Sequence, residues 1–234
     1  MAGTLYLIPT PLGETPLDLV LPEETRRIAA RLSHFVVEHP KTARAFLKQV
    51  GTDLPIQQLH LQELSEHTKA DQLEALLQPL QAGIDVGLLS EAGCPAVADP
   101  GAELVKLAHC RGIAVKPLVG PSSILLALMG SGLVGQRFTF HGYLPAKPDE
   151  RAGALKDLEK RAEKDDATQV FIETPYRNRA MLESILAACR PDTWLGLACS
   201  LTTPGELVAT RRVEQWRKQL PEVERSPCVF LIHR

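Results

Sequence analysis

The sequence predicts an α/β protein of two α/β domains, residues 1–119 around a largely parallel, doubly wound sheet and residues 120–234 around a mixed sheet. Three observations carry this. Through the first half, short apolar runs alternate with amphipathic stretches, the pattern of strands crossed over by helices. Most of those runs stop at a Pro- or Gly-containing turn before the next amphipathic stretch begins. Beyond residue 190 the apolar runs follow one another closely enough for hairpins, which a purely parallel sheet does not allow.

Taken in order, Thr4–Pro9 (TLYLIP) reads as a strand stopped by Pro9-Thr10-Pro11-Leu12-Gly13. Pro22-Glu23-Glu24 opens a helix with Ile28, Ala29 and Leu32 facing inward. His34–Glu38 is a second strand, and Lys41–Val50 a helix ended by Gly51. Alternation around Ile56, Leu59 and Leu61 suggests a third strand, followed by a loop to His67. Asp71–Gln81 reads as one amphipathic helix with Leu73, Leu76, Leu77 and Leu80 inward. Ile84–Leu89 and Ile113–Val119 are strands on either side of a helix that ends at Gly112. Gly120-Pro121-Ser122-Ser123 opens the helix Ile124–Met129, and the domain boundary is placed here. The second domain then reads as strands at Phe138–Leu144, Thr168–Glu173, Trp194–Leu201, Val208–Thr210 and Cys228–Ile232, with helices at Asp149–Lys164, Arg177–Cys189 and around Trp216.

Bulk properties narrow the classes of function. With 44% hydrophobic and 23% charged residues over 234, the chain has the composition of a soluble globular protein. A net charge of -2 argues against a broad polyanion-binding surface and leaves a local basic face open. No apolar run approaches the roughly 20 residues of a membrane span. The N-terminus lacks a basic leader and reads as a first strand, so a cytoplasmic protein is expected. Five scattered cysteines without a CxxC pair are expected to be reduced thiols. His109 and Cys110 adjoin without sharing a helix face, so no metal site is expected.

The stretch most suited to chemistry is Leu88–Gly101, LLSEAGCPAVADPG. A buried strand that ends in a Gly/Pro turn before a helix is where open α/β sheets bind ligands. Gly93 allows a close approach and is expected to face ligand rather than core. Asp99 is placed as the cap and Pro100 as the first residue of the following helix. Gly130-Ser131-Gly132-Leu133-Val134-Gly135 matches GxGxxG by letter, but a helix precedes it and a strand follows, so it reads as a helix stop. The loops at Pro9–Pro11, Glu38-His39, Ser90–Pro95 and Gly120–Ser123 share one edge of a parallel sheet and can line one crevice. Glu173 and Arg177 can pair with each other or point at substrate.

The blocks LYLIPTPLG, VEHPKTARAFL, LLSEAGCPAVADPGAELV, VKPLVGPSSILLALMGSGL, RFTFHGYLPAKPDER, VFIETPYRN and LACSLT together resemble the tetrapyrrole methylase superfamily, and within it the branch of ribosomal RNA small subunit methyltransferase I. The resemblance implies two α/β domains clasping S-adenosylmethionine in a cleft, in a homodimer. It places Pro9 and Thr10, Ser90-Glu91-Ala92-Gly93-Cys94-Pro95 with Asp99, Ser122 and Ser123 near the amino-acid end, and Ala198 and Leu201 beside the adenine. Glu38 matches a family acid and is the first candidate for a base or acceptor-positioning group, with Glu173, Tyr176 and Arg177 second. Where the branch carries Glu-Asp-Thr-Arg this chain has Glu38-His39-Pro40-Lys41, and where it carries Arg-Glu-Leu-Thr-Lys it has Cys199-Ser200-Leu201-Thr202-Thr203. The branch's C-terminal extension is absent, which implies a shorter subgroup. Three functions follow as expectations: methylation of RNA at a ribose 2′-hydroxyl in the small ribosomal subunit, methylation of a tetrapyrrole-like small molecule, or cofactor binding without catalysis. The first predicts a basic patch drawn from Arg26, Arg27, Lys41, Arg44, Lys147, Arg177 and Arg179.

Overall fold

Five short runs, the central ones apolar almost throughout, build the first sheet. The computed structural model describes residues 2–65, 67–223 and 225–234, and divides them into two compact units, residues 1–122 and 123–234. In the first, strands β1 (Thr4–Ile8), β2 (His34–Val37), β3 (His60–Glu63), β4 (Val86–Leu89) and β5 (Ala114–Pro117) are all parallel, in the order β3-β2-β4-β1-β5. Helices α1 (Leu17–Val20), α2 (Glu23–Arg31), α3 (Pro40–Val50), α4 (Ala70–Leu76), α5 (Gln78–Gln81) and α6 (Ala102–Cys110) connect them. Tyr6, Ile8, Phe35 and Val37 point to one face, where they pack with Ile28, Phe46 and Leu47 of α2 and α3. Leu5, Val36, Val86 and Leu88 point to the other, against Leu77, Leu80 and Leu104. Both faces are covered, so the sheet is doubly wound.

Burial on both sides leaves little room at the sheet centre. A Cβ on Gly87 would lie 2.8 Å from Ile8 Cδ1 and from Phe35 Cδ1. Three expectations need correction here. Residues 71–81 are not one helix: Pro79 opens α5 as a separate turn, although Leu76, Leu77 and Leu80 are buried as expected. The run around Ile56 begins with a short 3-10 turn, Ile56–Gln58, and only then becomes β3. Asp99 does not cap α6. The helix starts at Ala102 behind Gly101, whose φ of +132° has no side-chain cap, and Asp99 and Pro100 lie in the turn before it.

The second unit holds a mixed sheet. Strands β6 (Phe138–Tyr143), β7 (Thr168–Glu173), β8 (Trp194–Cys199), β9 (Leu207–Arg212) and β10 (Cys228–His233) run in the order β6-β7-β10-β8-β9, with only β6 and β7 parallel. Its helices are α7 (Ser123–Ser131), α8 (Pro148–Asp165), α9 (Asn178–Ala188) and α10 (Val213–Lys218). Phe171 and Phe230 stack across β7 and β10, and Trp216 is buried with its indole N–H donating to Leu195 O at 2.9 Å.

The expectation of five reduced thiols is overturned. Cys199 and Cys228 face each other directly across β8 and β10, 4.1 Å apart at Cα, and form a disulfide. The register of two strands 29 residues apart creates that pairing, and sequence spacing does not reveal it. Cys94, Cys110 and Cys189 are free. No helix is long and apolar enough to cross a membrane among the described residues.

Gly87→Val should destabilise the protein by about 2 kcal/mol, because the side chain must displace Ile8 and Phe35 in a packed core. Chemical denaturation giving an unchanged midpoint would refute that packing.

Candidate functional site

The carboxyl ends of β1, β2, β4 and β5 lie at one edge of the first sheet, and the loops that leave them are tied together. Thr10 and Gly93 form an isolated antiparallel bridge, each N–H donating to the other's carbonyl at 3.0 Å. The buried Thr10 hydroxyl donates to Ser90 O at 3.2 Å, and the Ser90 hydroxyl donates to Gly93 O at 2.7 Å. Thr10 and Ser90 therefore hold the loop, with their hydroxyls committed within the protein. Gly93 has φ +80°, and a Cβ there would meet Leu12 Cδ2 at 3.1 Å and Pro121 O at 3.5 Å. The expectation that Gly93 faces ligand rather than core is thus corrected: it is buried, and it turns inward on the loops after β1 and β5.

Beyond Gly93 the chain stays in unusual backbone. Ala96 (φ 64°) and Ala98 (φ 62°) are both left-handed. Such residues cost roughly 1–2 kcal/mol each and persist only where the surroundings over-determine them, which is characteristic of functional loops. Pro95 is buried, whereas Glu91 and Ala92 are exposed. Cys94 sits beside Pro121 O at 3.5 Å. Burial raises its thiol pKa, offset by a hydrogen bond with Ser122, so it is not an activated thiolate.

Three carboxylates gather at this edge. Asp99 is pushed up to about 6, first by burial and then by the charges of Glu38 and Glu91. Glu91 accepts a hydrogen bond from Thr42 Oγ1 at 2.6 Å and stands 3.5 Å from His39 Nδ1. Beside them lies a groove of about 570 Å³, bounded by Thr10–Thr15, by Thr42, Phe46 and Gln49 of α3, and by Leu89–Ala92. No sequence signal marks the α3 wall, because Phe46 and Gln49 look like any helix residues.

In the second unit Glu173 and Arg177 are paired. The guanidinium reaches Glu173 Oε1 at 2.7 Å, and that oxygen also accepts from the Thr174 N–H at 2.7 Å. Glu173 is buried, and its Oε2 has no hydrogen-bond partner among the described residues. Tyr176 is 80% exposed under the Arg177 guanidinium. Asn178, which sequence reasoning missed, is buried and donates from Nδ2 to Val223 O and Ser226 O at 3.1 and 2.6 Å. It fixes the Glu173–Arg177 turn to the segment before β10. Ala198 lies buried in β8, and Leu201 is buried between two left-handed residues, Ser200 (φ 49°) and Thr202 (φ 66°). Ser123 is the first residue of α7. Among the described residues no group of three His, Cys, Asp or Glu is placed to hold a metal ion.

A doubly wound parallel unit with a strained strand-end loop, followed by a mixed-sheet unit, defines a two-unit α/β protein, and its family profile makes it a methyltransferase. The chain belongs to the Tetrapyrrole (Corrin/Porphyrin) Methylases, whose family profile matches residues 4–216. It is 33% identical to the ribosomal RNA small subunit methyltransferase I of Escherichia coli O157:H7, over 98% of this chain and 77% of that one. It is 36% identical to the protein of that name from Micromonospora olivasterospora, over 92% of this chain and 67% of the other. Among solved structures the fold resembles the methyltransferase CobJ, with a TM-score of 0.65 at 20% identity over 100% of this chain and 95% of that one. It also resembles the uroporphyrin-III-C-methyltransferase of Thermus thermophilus, at TM-score 0.58 and 20% identity, over 100% and 93%.

Two predictions follow from the loop and the acids. Gly93→Val should lower thermal stability as well as cofactor affinity, since a β-branched residue is strained at φ +80°; unaltered melting would show that the inward-facing turn is misassigned. Asp99 holds a proton in the folded state that the unfolded chain releases. Its favourable contribution is full below the ordinary carboxylate pKa near 3.8 and is lost as pH rises through about 6. Asp99→Asn should therefore raise the melting temperature relative to wild type more at pH 7 than at pH 5, and an equal difference at both would exclude the coupling.

Proposed function

We propose that the protein transfers the methyl group of S-adenosylmethionine to ribosomal RNA of the small subunit, at a ribose 2′-hydroxyl. One observation carries the reading: the strained loop Ser90–Gly101 lies at the carboxyl edge of the parallel sheet, in a chain 27–36% identical over nearly its whole length to proteins named ribosomal RNA small subunit methyltransferase I.

The residues present suit such a donor. Carboxylates at Glu38, Glu91 and Asp99 complement a cationic sulfonium, and the elevated pKa of Asp99 marks a place where added positive charge is favourable. Main-chain groups of the Pro9–Thr10 and Glu91–Pro95 loops, with Asp99, Ser122 and Ser123, would hold it. When bound, S-adenosylmethionine supplies an activated methyl carbon, so the protein's work is alignment and proton removal. Glu38 ends β2 at this edge, half-buried, and serves as the group that orients the acceptor hydroxyl and accepts its hydrogen bond. Thr10 and Ser90 act indirectly, by fixing the loop. Glu173 and Arg177 hold the Tyr176 turn through their ion pair, and the exposed Tyr176 ring offers a face on which a base can stack.

We further infer a homodimer in the cytoplasm. Leu125 and Met129, one turn apart on α7, are 57% and 78% exposed, and Val208 lies beside the end of that helix.

Incubation with methyl-labelled S-adenosylmethionine and extract from a strain lacking the gene should place label in small-subunit RNA, and light scattering should give twice the 25.6 kDa chain mass. Glu38→Gln should reduce the methylation rate at saturating donor at least tenfold, a loss beyond any weakening of donor binding, which is measured separately. Label confined to small metabolites would overturn the RNA reading.

A further inference from the structure

The expected basic patch does not survive as a set: Arg26 is half-buried on α2, its Nε buried without a hydrogen-bond partner among the described residues, and four others are ion-paired. Arg27 pairs with Glu24 at 2.7 Å, Lys147 with Glu150 at 2.9 Å, Arg177 with Glu173 at 2.7 Å and Arg179 with Glu183 at 2.7 Å. Each of those cations is neutralised by a neighbour. Lys41 and Arg44 are exposed and have no ion-pair partner among the described residues, and the same holds for Lys48, which was not in the expected set.

These three residues occupy positions i, i+3 and i+7 of α3, so they form one stripe about 10 Å long. The helix contains no acidic residue. Its remaining faces are already used: Ala43, Phe46 and Leu47 are buried in the core, and Thr42, Phe46 and Gln49 line the groove beside Glu91. The cationic stripe therefore runs along the groove's outer rim. Lys41 also stands in the first turn, where the helix dipole opposes a positive charge. A net charge of -2 over the chain makes three uncompensated cations on one helix a local feature and not a general basicity.

We propose that the Lys41–Arg44–Lys48 stripe of α3 is the docking surface for the phosphate backbone of the RNA acceptor. This rests on the RNA reading above and deepens it: the groove beside α3 takes the target nucleotide, and the stripe takes the phosphates of the strand on its flank. An exposed convex helix face suits an extended polyanion, whose phosphates are met in series. A compact polycarboxylate such as a tetrapyrrole would call for cations inside the concavity, and the side chains that line the groove include none.

The test compares two triple variants of the full chain, K41A/R44A/K48A and the charge-matched R27A/K106A/K147A, whose wild-type side chains are all ion-paired. Alanine preserves helix propensity, and S-adenosylmethionine affinity with thermal melting reports on folding. Binding of labelled oligouridylate is measured across a salt series. The stripe variant should bind at least tenfold more weakly at low salt, with the slope of log K against log [salt] shallower by about 2, and the control should change less than twofold. Equal losses in both variants, or none in the stripe variant, would overturn the proposal. Absence of RNA binding by the wild type would do the same, as would loss of uroporphyrin III binding alone. Methyl transfer to small subunits is scored separately. Transfer that is unchanged in the stripe variant overturns the docking surface and leaves the RNA reading standing, while wild-type transfer to no RNA removes both.

Discussion

The paired main-chain hydrogen bonds between Thr10 and Gly93 are the constraint on which the candidate site depends. β1 and β4 run parallel, so their ladder cannot simply continue past the strand ends. The chain must turn back at Gly93 to offer its N–H and C=O to Thr10, and φ +80° is what allows it. Once that turn is made, the Thr10 and Ser90 hydroxyls close over the bridge, each donating to a main-chain carbonyl of the loop. The left-handed Ala96 and Ala98 then follow in a loop already fixed at its start. A ligand meeting such a loop does not have to order it, which is the energetic advantage of preorganisation.

The two units treat their buried charge differently. In the second, Glu173 is compensated within its own turn by Arg177 and the Thr174 N–H, and removing Arg177 would leave an uncompensated buried carboxylate. In the first, Asp99 has Glu38 and Glu91 for neighbours, and Glu91 accepts from the Thr42 hydroxyl beside His39 Nδ1. The Glu173–Arg177 arrangement is self-contained. The cluster around Asp99 carries an electrostatic cost that a bound cation relieves, which distinguishes a site from a structural tie.

Most of the fold was legible because burial on both faces of a parallel sheet imposes long apolar runs, and helix stops such as Gly51 announce themselves. The misreadings share a cause: each depended on what lies across space. Asp99 looks like a cap because an aspartate precedes a proline and a helical pattern. The left-handed residues before Gly101 use up the chain in a turn, and the helix begins later. Cys199 and Cys228 pair through strand register, which no spacing encodes. Gly93 was recognised as special, but glycine serves both close approach and positive φ, and its direction belongs to the fold. In the site, Glu38 from the loop after β2 and Glu91 and Asp99 from the loop after β4 came together as the strand-end rule implies. The basic set failed for the opposite reason: each of Arg27, Lys147 and Arg179 has an acid one helical turn away that cancels it.

The segment Glu38-His39-Pro40-Lys41, which departs from the Glu-Asp-Thr-Arg of the branch it resembles, keeps the architecture while altering the charge. Pro40 at the first helical position has the fixed φ a helix start requires and lacks an N–H that would otherwise be unpaired. His39 precedes it in extended backbone, φ -130°, and faces Glu91, so a titratable group stands beside that carboxylate. The acid at 38 and the cation at 41 are both retained. They lie on opposite sides of the helix start, the first at the sheet edge with the other carboxylates and the second on the outward stripe with Arg44 and Lys48. A cation that the helix dipole disfavours, on a rim it shares with Arg44 and Lys48, has no ion-pair partner among the described residues to account for it. Its place in the sequence is explained by what lies outside the protein, an anion drawn along the rim while a cationic donor is drawn to the acids within.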